Sequence, residues 1–311
     1  MKISVCLCAA LGAALLLSGC GGMPSDDPPP ARIVPSASEP EPPAPSVSAP
    51  AASSSAPGPD ASEPDGPEPS ASEPAPEHSE PDPPDGDGEP VSDPEQLLAL
   101  AEEADWSAFD DVVMIGDSVS LKLKNFVVQQ RKTEPGFFGT AQFLTSGSLG
   151  SGNALWEVSS QSVHPVFQGT KMPLDQSVPL TGAKTAYLML GVNDVAVYGV
   201  EGSVENYQTL LDSIQAAVPG IRFCVQSATP ICRGAEVGAL NNETLALYNE
   251  KLAEMCESRG IRFLDVASVL RDEEGFLPRE YCSDPDGMGI HLTDKACRLW
   301  LGFLLAGAQN S

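Results

Sequence analysis

Two side chains in this chain are of the types that attack a carbonyl group together. A serine hydroxyl becomes a good nucleophile only when a base takes its proton, and an imidazole is the usual base. Ser118 follows Gly116-Asp117 at the start of a predicted helix, where backbone amides favour developing negative charge. His291 stands just before another predicted helix. We therefore expect acyl transfer, with Ser118 as nucleophile and His291 as general base and then general acid.

Other chemistry is disfavoured by the residues available. His164 precedes Pro165 in an irregular stretch, which predicts a solvated loop residue. The cysteines lack paired Cys-x-x-Cys spacing, and no glycine-rich phosphate-binding loop occurs. The sequence therefore predicts no metal site and no cofactor.

The segments around these residues alternate between strand and helix patterns after residue 94. The predicted strands are Asp111–Ile115, Ala141–Thr145, Lys184–Leu190, Ile221–Gln226 and Ile261–Val266. The predicted helices are one starting at Pro94, then Val119–Gln130, Val204–Val218, Leu240–Ser258 and Asp294–Leu305, the last with Thr293 as N-cap. This alternation predicts an α/β fold, a three-layer α/β/α sandwich around a parallel sheet of about five strands. Ligand sites in such folds lie beyond the carboxyl ends of the strands.

Four polar blocks stand at predicted strand or helix ends. They are Gly116-Asp117-Ser118, Gly147–Asn153, Gly191–Asp194 and Asp284–His291. In this order they resemble the motifs of the SGNH, or GDSL-type, hydrolases, and the resemblance spans about residues 110–305. It implies a flavodoxin-like fold, esterase or acylhydrolase activity and a mechanism without a cofactor.

The resemblance also implies three donors to an oxyanion. They are the backbone N–H of Ser118, the backbone N–H of Gly150 and the side-chain amide of Asn193. Gly147 is the alternative to Gly150. Asp117 and Asp194 are expected to hold loops by accepting backbone hydrogen bonds rather than to take part in the reaction.

One block departs from the family pattern, in which an aspartate lies three residues before the histidine. Met288 stands there, while Asp286 and Asp284 lie five and seven residues before His291. Either carboxylate could orient the imidazole, and we give Asp286 a slight lead. A Ser–His dyad oriented by a main-chain carbonyl is the other alternative, and a plain turn around these aspartates also remains open.

The first twenty residues have the pattern of an export signal. A basic Lys2 precedes the apolar run Val5–Leu17, which is too short to span a bilayer comfortably. The run ends in Leu17-Ser18-Gly19-Cys20, which resembles the lipobox of bacterial lipoproteins and implies cleavage before Cys20 and acylation of its thiol, for example with palmitate. We expect a protein held by lipid at the extracytoplasmic face of the cell membrane.

Composition divides the rest of the chain in two. Residues 21–95 are rich in Pro, Ser and acidic residues, which predicts a disordered linker, and residues 96–311 form the hydrolase-like domain. The formal net charge of −26 disfavours nucleic acid as a partner, because phosphate attraction needs Lys and Arg.

Five cysteines lie in the predicted domain. They are Cys224, Cys232, Cys256, Cys282 and Cys297. The odd number leaves at least one unpaired. Cys282 with Cys297 is the first pair to test, since it would close a loop of about 15 residues around His291.

These patterns favour a serine esterase that removes small acyl groups, chiefly O-acetyl groups, from an acylated glycan or another small ester. An O-acetyltransferase is the neighbouring alternative, and a non-catalytic binding module is the alternative from another class, supported by Met288. Trp156, Tyr198 and Phe167 could stack on a sugar, although such side chains more often pack. The membrane is expected as a partner only through the lipid anchor, and the number of subunits stays open.

Overall fold

The computed structural model describes residues 93–309. The predicted signal peptide, the lipid-modified Cys20 and nearly all of the predicted linker lie outside the described residues and stay predictions. Within the described range no helix combines the length and the apolar character needed to cross a bilayer.

Five parallel strands form the central sheet, and a short antiparallel hairpin lies apart from it. The sheet strands are β1 (Val112–Gly116), β2 (Gln142–Thr145), β5 (Thr185–Met189), β6 (Arg222–Gln226) and β7 (Arg262–Leu264), and the hairpin is β3 (Val166–Phe167) with β4 (Thr170–Lys171). The order across the sheet is β2-β1-β5-β6-β7, and all four pairings are parallel. This is the flavodoxin-like strand order, so the predicted fold class is confirmed.

Helices cover both faces of the sheet. They are α1 (Pro94–Glu102), α2 (Ser118–Gln130), α3 (Leu174–Thr181), α4 (Val195–Ala217), α5 (Asn242–Ser258), α6 (Ala267–Leu270) and α7 (Asp294–Gln309). Every residue of β1 is buried, with Val112 and Met114 in one hydrophobic core and Val113 and Ile115 in the other. The first core is shared with α1, α2 and α7 and the second with α3, α4 and α5, which gives the predicted three layers.

The first and last helices pack against each other. A side chain at Gly302 in α7 would meet the carbonyl oxygen of Leu97 in α1 at 2.2 Å, so the two backbones touch where the glycine lies. Trp300, fully buried in the same helix, donates from its indole Nε1 to Gln226 Oε1 at 2.7 Å. The C-terminal helix is thus attached both to α1 and to the sheet.

The five predicted strands and five predicted helices are all present, with ends shifted by one or a few residues except in α4. That helix begins at Val195 rather than Val204, because it continues across a kink at Gly199 that interrupts the helical periodicity. The hairpin β3–β4 and the helices α3 and α6 were not predicted. Gln168 and Gly169, both at positive φ, form the hairpin turn.

Candidate active site

Ser118 lies where β1 ends and α2 begins. Asp117 caps the helix through its carboxylate, which accepts from the Val119 amide at 2.8 Å. Gly116 is required before it, since a Cβ there would lie 2.0 Å from Ser120 Oγ and 2.8 Å from Met189 O. The tight passage from strand to helix puts Ser118 in the first helical turn, whose amides have no acceptor within the helix.

Two buried carboxylates support the loops around Ser118. Burial raises the pKa of Asp117 to about 7, although hydrogen bonds from the Val119 and Ser120 amides oppose that rise and the neighbouring Asp194 adds to it. Burial likewise raises the pKa of Asp194, against hydrogen bonds from Gly152 and Ser151. Their supporting role is as predicted from the sequence.

Asp194 connects the loop after β5 to the loop after β2. Its two carboxylate oxygens accept from the Ser151 amide at 2.9 Å and the Gly152 amide at 3.0 Å. The Tyr198 ring lies against Gly152, where a Cβ would come within 2.3 Å of it. Asp194 therefore fixes the segment that follows Gly150, and Tyr198 packs there.

Gly150 and Asn193 are brought together at this junction. The Asn193 Nδ2 donates to Leu149 O at 3.1 Å, immediately before Gly150. The Gly150 amide, however, donates to Asn153 Oδ1 at 2.8 Å. Sequence reasoning placed Asn153 in the second block but missed this contact. The Asn153 side-chain oxygen occupies the Gly150 N–H, which was predicted to donate to the oxyanion.

His291 is oriented by Asp284. The ring Nδ1 lies 2.7 Å from Asp284 Oδ2, and the His291 backbone amide donates to Asp284 Oδ1 at 3.1 Å. A carboxylate only accepts, so Nδ1 carries the hydrogen and Nε2 is left as the basic nitrogen. Partial burial would raise the pKa of Asp284, but the hydrogen bonds from His291 and Cys282 outweigh it and the pKa lies below its usual value.

The lead given to Asp286 is wrong, and the dyad without a carboxylate is not what the structure contains. Asp286 is exposed and forms a two-pronged ion pair with Arg279, at 2.9 and 3.0 Å. The intervening turn explains the outcome, since the Gly287 and Gly289 amides both donate to Asp284 O and the chain returns to Asp284 at His291. Gly289 has a φ of +68°, which glycine adopts without strain.

The turn is held against the loop that follows β6. The Cys232 amide donates to Gly289 O at 2.8 Å, and the Leu277 amide donates to Ile231 O at 3.1 Å. β6 is parallel to β5 and β5 to β1, so the loops after all three strands leave the sheet at one edge. His291 and Ser118 are therefore placed on the same edge of the sheet.

Two further expectations are corrected. His164 is not solvated: it is buried, with Nε2 3.2 Å from Ala154 O and Nδ1 without a hydrogen-bond partner in the described part of the chain. The residues after it return as the β3–β4 hairpin, where the Met172 amide donates to Pro165 O.

Cys282 and Cys297 are not paired either. All five cysteines of the described range are free and buried. The Cys282 thiol instead donates to Asp284 Oδ1 at 3.3 Å, whereas Cys297 is buried on α7. The sequence spacing did not reveal this contact, because it depends on the fold of the turn.

Among residues 93–309, no group of three or more His, Cys, Asp or Glu side chains is arranged to hold a metal ion.

Thr293 accepts from the Ala296 amide at 3.4 Å, as expected for the cap of α7.

Comparisons with known proteins bear on the same part of the chain. Residues 155–299 match the model of the GDSL-like Lipase/Acylhydrolase family. The match covers 145 of the 311 residues and includes Asn193, Asp284 and His291, but it begins after Ser118 and Gly150. The assignment to that enzyme class, made above from the four blocks, is thereby confirmed.

Solved structures are similar at low identity. A GDSL-like lipase from Bacteroides thetaiotaomicron is 13% identical with a TM-score of 0.49, over 70% of this chain and 98% of the other. A carbohydrate esterase family 3 structure from Talaromyces cellulolyticus is 18% identical with a TM-score of 0.41, over 64% and 98%. A search of curated protein sequences found no match. Values this low say nothing of activity, and the fold assignment rests on the strand order.

Proposed function

We propose that the GDSL-like domain is a serine esterase that removes small acyl groups, chiefly O-acetyl groups, from a glycan outside the cell membrane, to which Cys20 anchors the chain. The observation that carries the proposal is the Asp284–His291 hydrogen bond. It fixes the imidazole tautomer with a basic Nε2, which is what a serine nucleophile on the same sheet edge requires.

In the proposed reaction His291 Nε2 takes the proton from Ser118 as Oγ attacks the ester carbonyl. Asp284 stays ionised and stabilises the imidazolium that forms, consistent with the lowered pKa of its carboxyl group. Negative charge on the carbonyl oxygen is received by the amides of Ser118 and Gly150 and by Asn193. His291 then protonates the leaving alcohol, and a water molecule activated by the same imidazole releases the acid and restores Ser118.

An exposed aromatic residue near the second block supports a glycan as the carrier of the acyl group. Trp156, just after the segment that carries Gly150, exposes 57% of its surface and offers an aromatic face of the kind that stacks on sugars. The glycan assignment rests on this ring together with the predicted tether.

The experiment is hydrolysis of p-nitrophenyl acetate by the purified chain and by Ser118→Ala, with Ser120→Ala as the matched control two residues further along α2. We expect the first substitution to abolish turnover and the second to leave most of it. Equal rates for the unaltered chain and Ser118→Ala would refute the esterase. Acetate release from acetylated xylan and acetylated peptidoglycan, compared with fatty-acid release from phospholipid, then tests whether the substrate is a glycan.

The O-acetyltransferase shares every step up to the acyl-enzyme and is distinguished by adding a glycan acceptor and identifying the product. The non-catalytic binding module was suggested by Met288, which stands where the family pattern has an aspartate. Asp284 supplies a carboxylate to His291 instead, so Met288 no longer supports that alternative. Failure of Ser118 to react with a fluorophosphonate in a folded chain would restore that alternative.

A further inference from the structure

Two cysteines lie side by side beneath the turn that carries Asp284 and His291. Cys282 is two residues before Asp284, and Cys232 belongs to the loop after β6. The Cys282 thiol donates to Asp284 Oδ1 at 3.3 Å, and the Cys232 thiol lies near enough to raise the pKa of Cys282. A Cβ at Gly289, in the same turn, would lie 3.1 Å from the Cys232 Cβ. The remaining described cysteines, Cys224, Cys256 and Cys297, have no cysteine neighbour among their interactions.

The backbone on each side of this thiol pair is held in place by other contacts. The Cys232 amide donates to Gly289 O at 2.8 Å, and Cys232 forms an isolated parallel bridge with Leu277. Cys282 forms an antiparallel bridge with Leu292, next to His291. Main-chain contacts therefore hold the segments of both cysteines against the turn from Asp284 to His291, which places the two residues in one neighbourhood.

We propose that Cys232 and Cys282 are a disulfide-forming pair, which in oxidising surroundings ties the loop after β6 to the turn that holds the Asp284–His291 couple. The bond would close about 50 residues of chain and so restrict the unfolded state strongly. It would also remove the thiol hydrogen that Cys282 donates to Asp284. The assignment does not depend on the esterase.

A small-molecule disulfide such as oxidised glutathione supplies the oxidant. One cysteine loses its proton and attacks a glutathione sulphur, releasing one glutathione thiolate and leaving a mixed disulfide. The second cysteine, deprotonated in turn, attacks the protein sulphur of that mixed disulfide and releases the second glutathione. Two protein thiols thus give up two electrons and two protons, and one glutathione disulfide becomes two thiols.

Burial sets the rate of this exchange in the folded protein. Cys232 is fully buried and Cys282 nearly so, and burial raises the pKa of both thiols, that of Cys282 to about 12. A small disulfide therefore reaches them only when the turn opens. The experiment consequently includes urea below the unfolding midpoint during oxidation, and the urea is removed before measurement.

The test uses the full chain, oxidised with glutathione disulfide or reduced with dithiothreitol, followed by alkylation of remaining thiols, proteolysis and mass spectrometry. We expect a cross-linked peptide pair containing Cys232 and Cys282, and a Tm about 5–15 °C above that of the reduced chain. Cys232→Ala should abolish both. Cys297→Ala, the matched control at a buried cysteine, should retain both.

Three results would overturn the proposal. They are alkylation of both Cys232 and Cys282 after oxidation, a cross-link from Cys282 to Cys297, and a rise in Tm that persists in Cys232→Ala. If that variant does not fold, the peptide map of the unaltered chain decides alone. None of these readouts uses ester hydrolysis, so a failed esterase assay and a failed disulfide assignment are told apart.

Discussion

At the scale of single residues, the seven-residue interval between Asp284 and His291 decides which carboxylate orients the imidazole. Asp284 reaches both the ring and the amide of His291, while Asp286 points to solvent and pairs with Arg279. An exposed ion pair adds little to the stability of the fold. A carboxylate that fixes the tautomer of a catalytic imidazole adds much to the reaction rate.

The two aspartates therefore form a matched pair of substitutions. Asp284→Asn should lower kcat for p-nitrophenyl acetate by about 10²–10⁴-fold, because the amide no longer stabilises the imidazolium or the Nδ1–H tautomer. Asp286→Asn should change it by no more than about twofold. Similar losses in the two variants would contradict the role assigned to Asp284.

Asp117 gives a prediction about stability and pH. Its folded-state pKa of about 7 exceeds the ordinary value of 3.8, so the folded state keeps a proton that the unfolded state has lost. The free energy of unfolding should therefore fall as the pH rises from about 4 to about 7. Asp117→Asn keeps a side-chain oxygen that can cap α2 but cannot ionise, so the free energy of unfolding should depend less on pH in this variant. The measurement is the urea midpoint at pH 5 and at pH 8.

Asp105 is the control for that experiment. It also caps a helical turn, through the Ser107 amide, but this hydrogen bond lowers its pKa. Asp105→Asn should leave the difference between pH 5 and pH 8 unchanged. Asp194, whose pKa is also raised, should leave some dependence of the free energy of unfolding on pH in either variant. If this free energy fell as steeply with pH in Asp117→Asn as in the parent chain, Asp117 would be ionised in the folded protein throughout.

Sequence reasoning at this scale succeeded where a residue's role depends on its place at a strand end. Ser118 and Asn193 follow β1 and β5, and both are where the alternation predicted. It failed where the role depends on a turn, because the path from Asp284 to His291 is set by amide contacts that no residue pattern displays. The burial of His164 was missed for the same reason.

At the scale of elements, the contact between α1 and α7 depends on one glycine. Gly302→Ala would put a methyl group 2.2 Å from Leu97 O, so one helix must move. We expect a loss of about 1–3 kcal/mol in the free energy of unfolding, measured with urea.

Gly202→Ala, in the interior of α4, is the matched control. Its new methyl group would meet Tyr198 Cβ at 3.3 Å, and alanine favours the helix, so stability should stay within about 1 kcal/mol of the parent. If both variants lost the same amount, the close approach of α1 to α7 would not be what makes Gly302 necessary.

The sheet itself was predictable because its strands are continuous apolar segments buried on both faces. β1 and β5 are fully buried, as their sequences Val112–Gly116 and Thr185–Met189 suggest. The hairpin β3–β4 has two residues in each strand and a partly exposed surface, so it carries no such signal. The start of α4 was missed since Gly199 and Gly202 weaken the helical pattern.

At the scale of the whole molecule, the net charge and the N-terminal sequence bear on where the protein acts. A formal charge of −26 gives no attraction to anionic phospholipid, so attachment to a membrane would depend on the acyl chains at Cys20. Cys20→Ala should abolish palmitate labelling and move the protein from the membrane fraction to the soluble fraction. Cys6→Ala, in the same predicted signal, should change neither.

The resting hydrogen bond between Gly150 and Asn153 has a consequence for selectivity in the proposed reaction. A neutral ester carbonyl gains little by displacing the neutral Asn153 oxygen from this amide, since one uncharged acceptor replaces another. An alkoxide gains considerably more. The exchange of partners would therefore follow the build-up of charge along the reaction coordinate, so this donor would lower the barrier while leaving the affinity for the intact ester almost untouched.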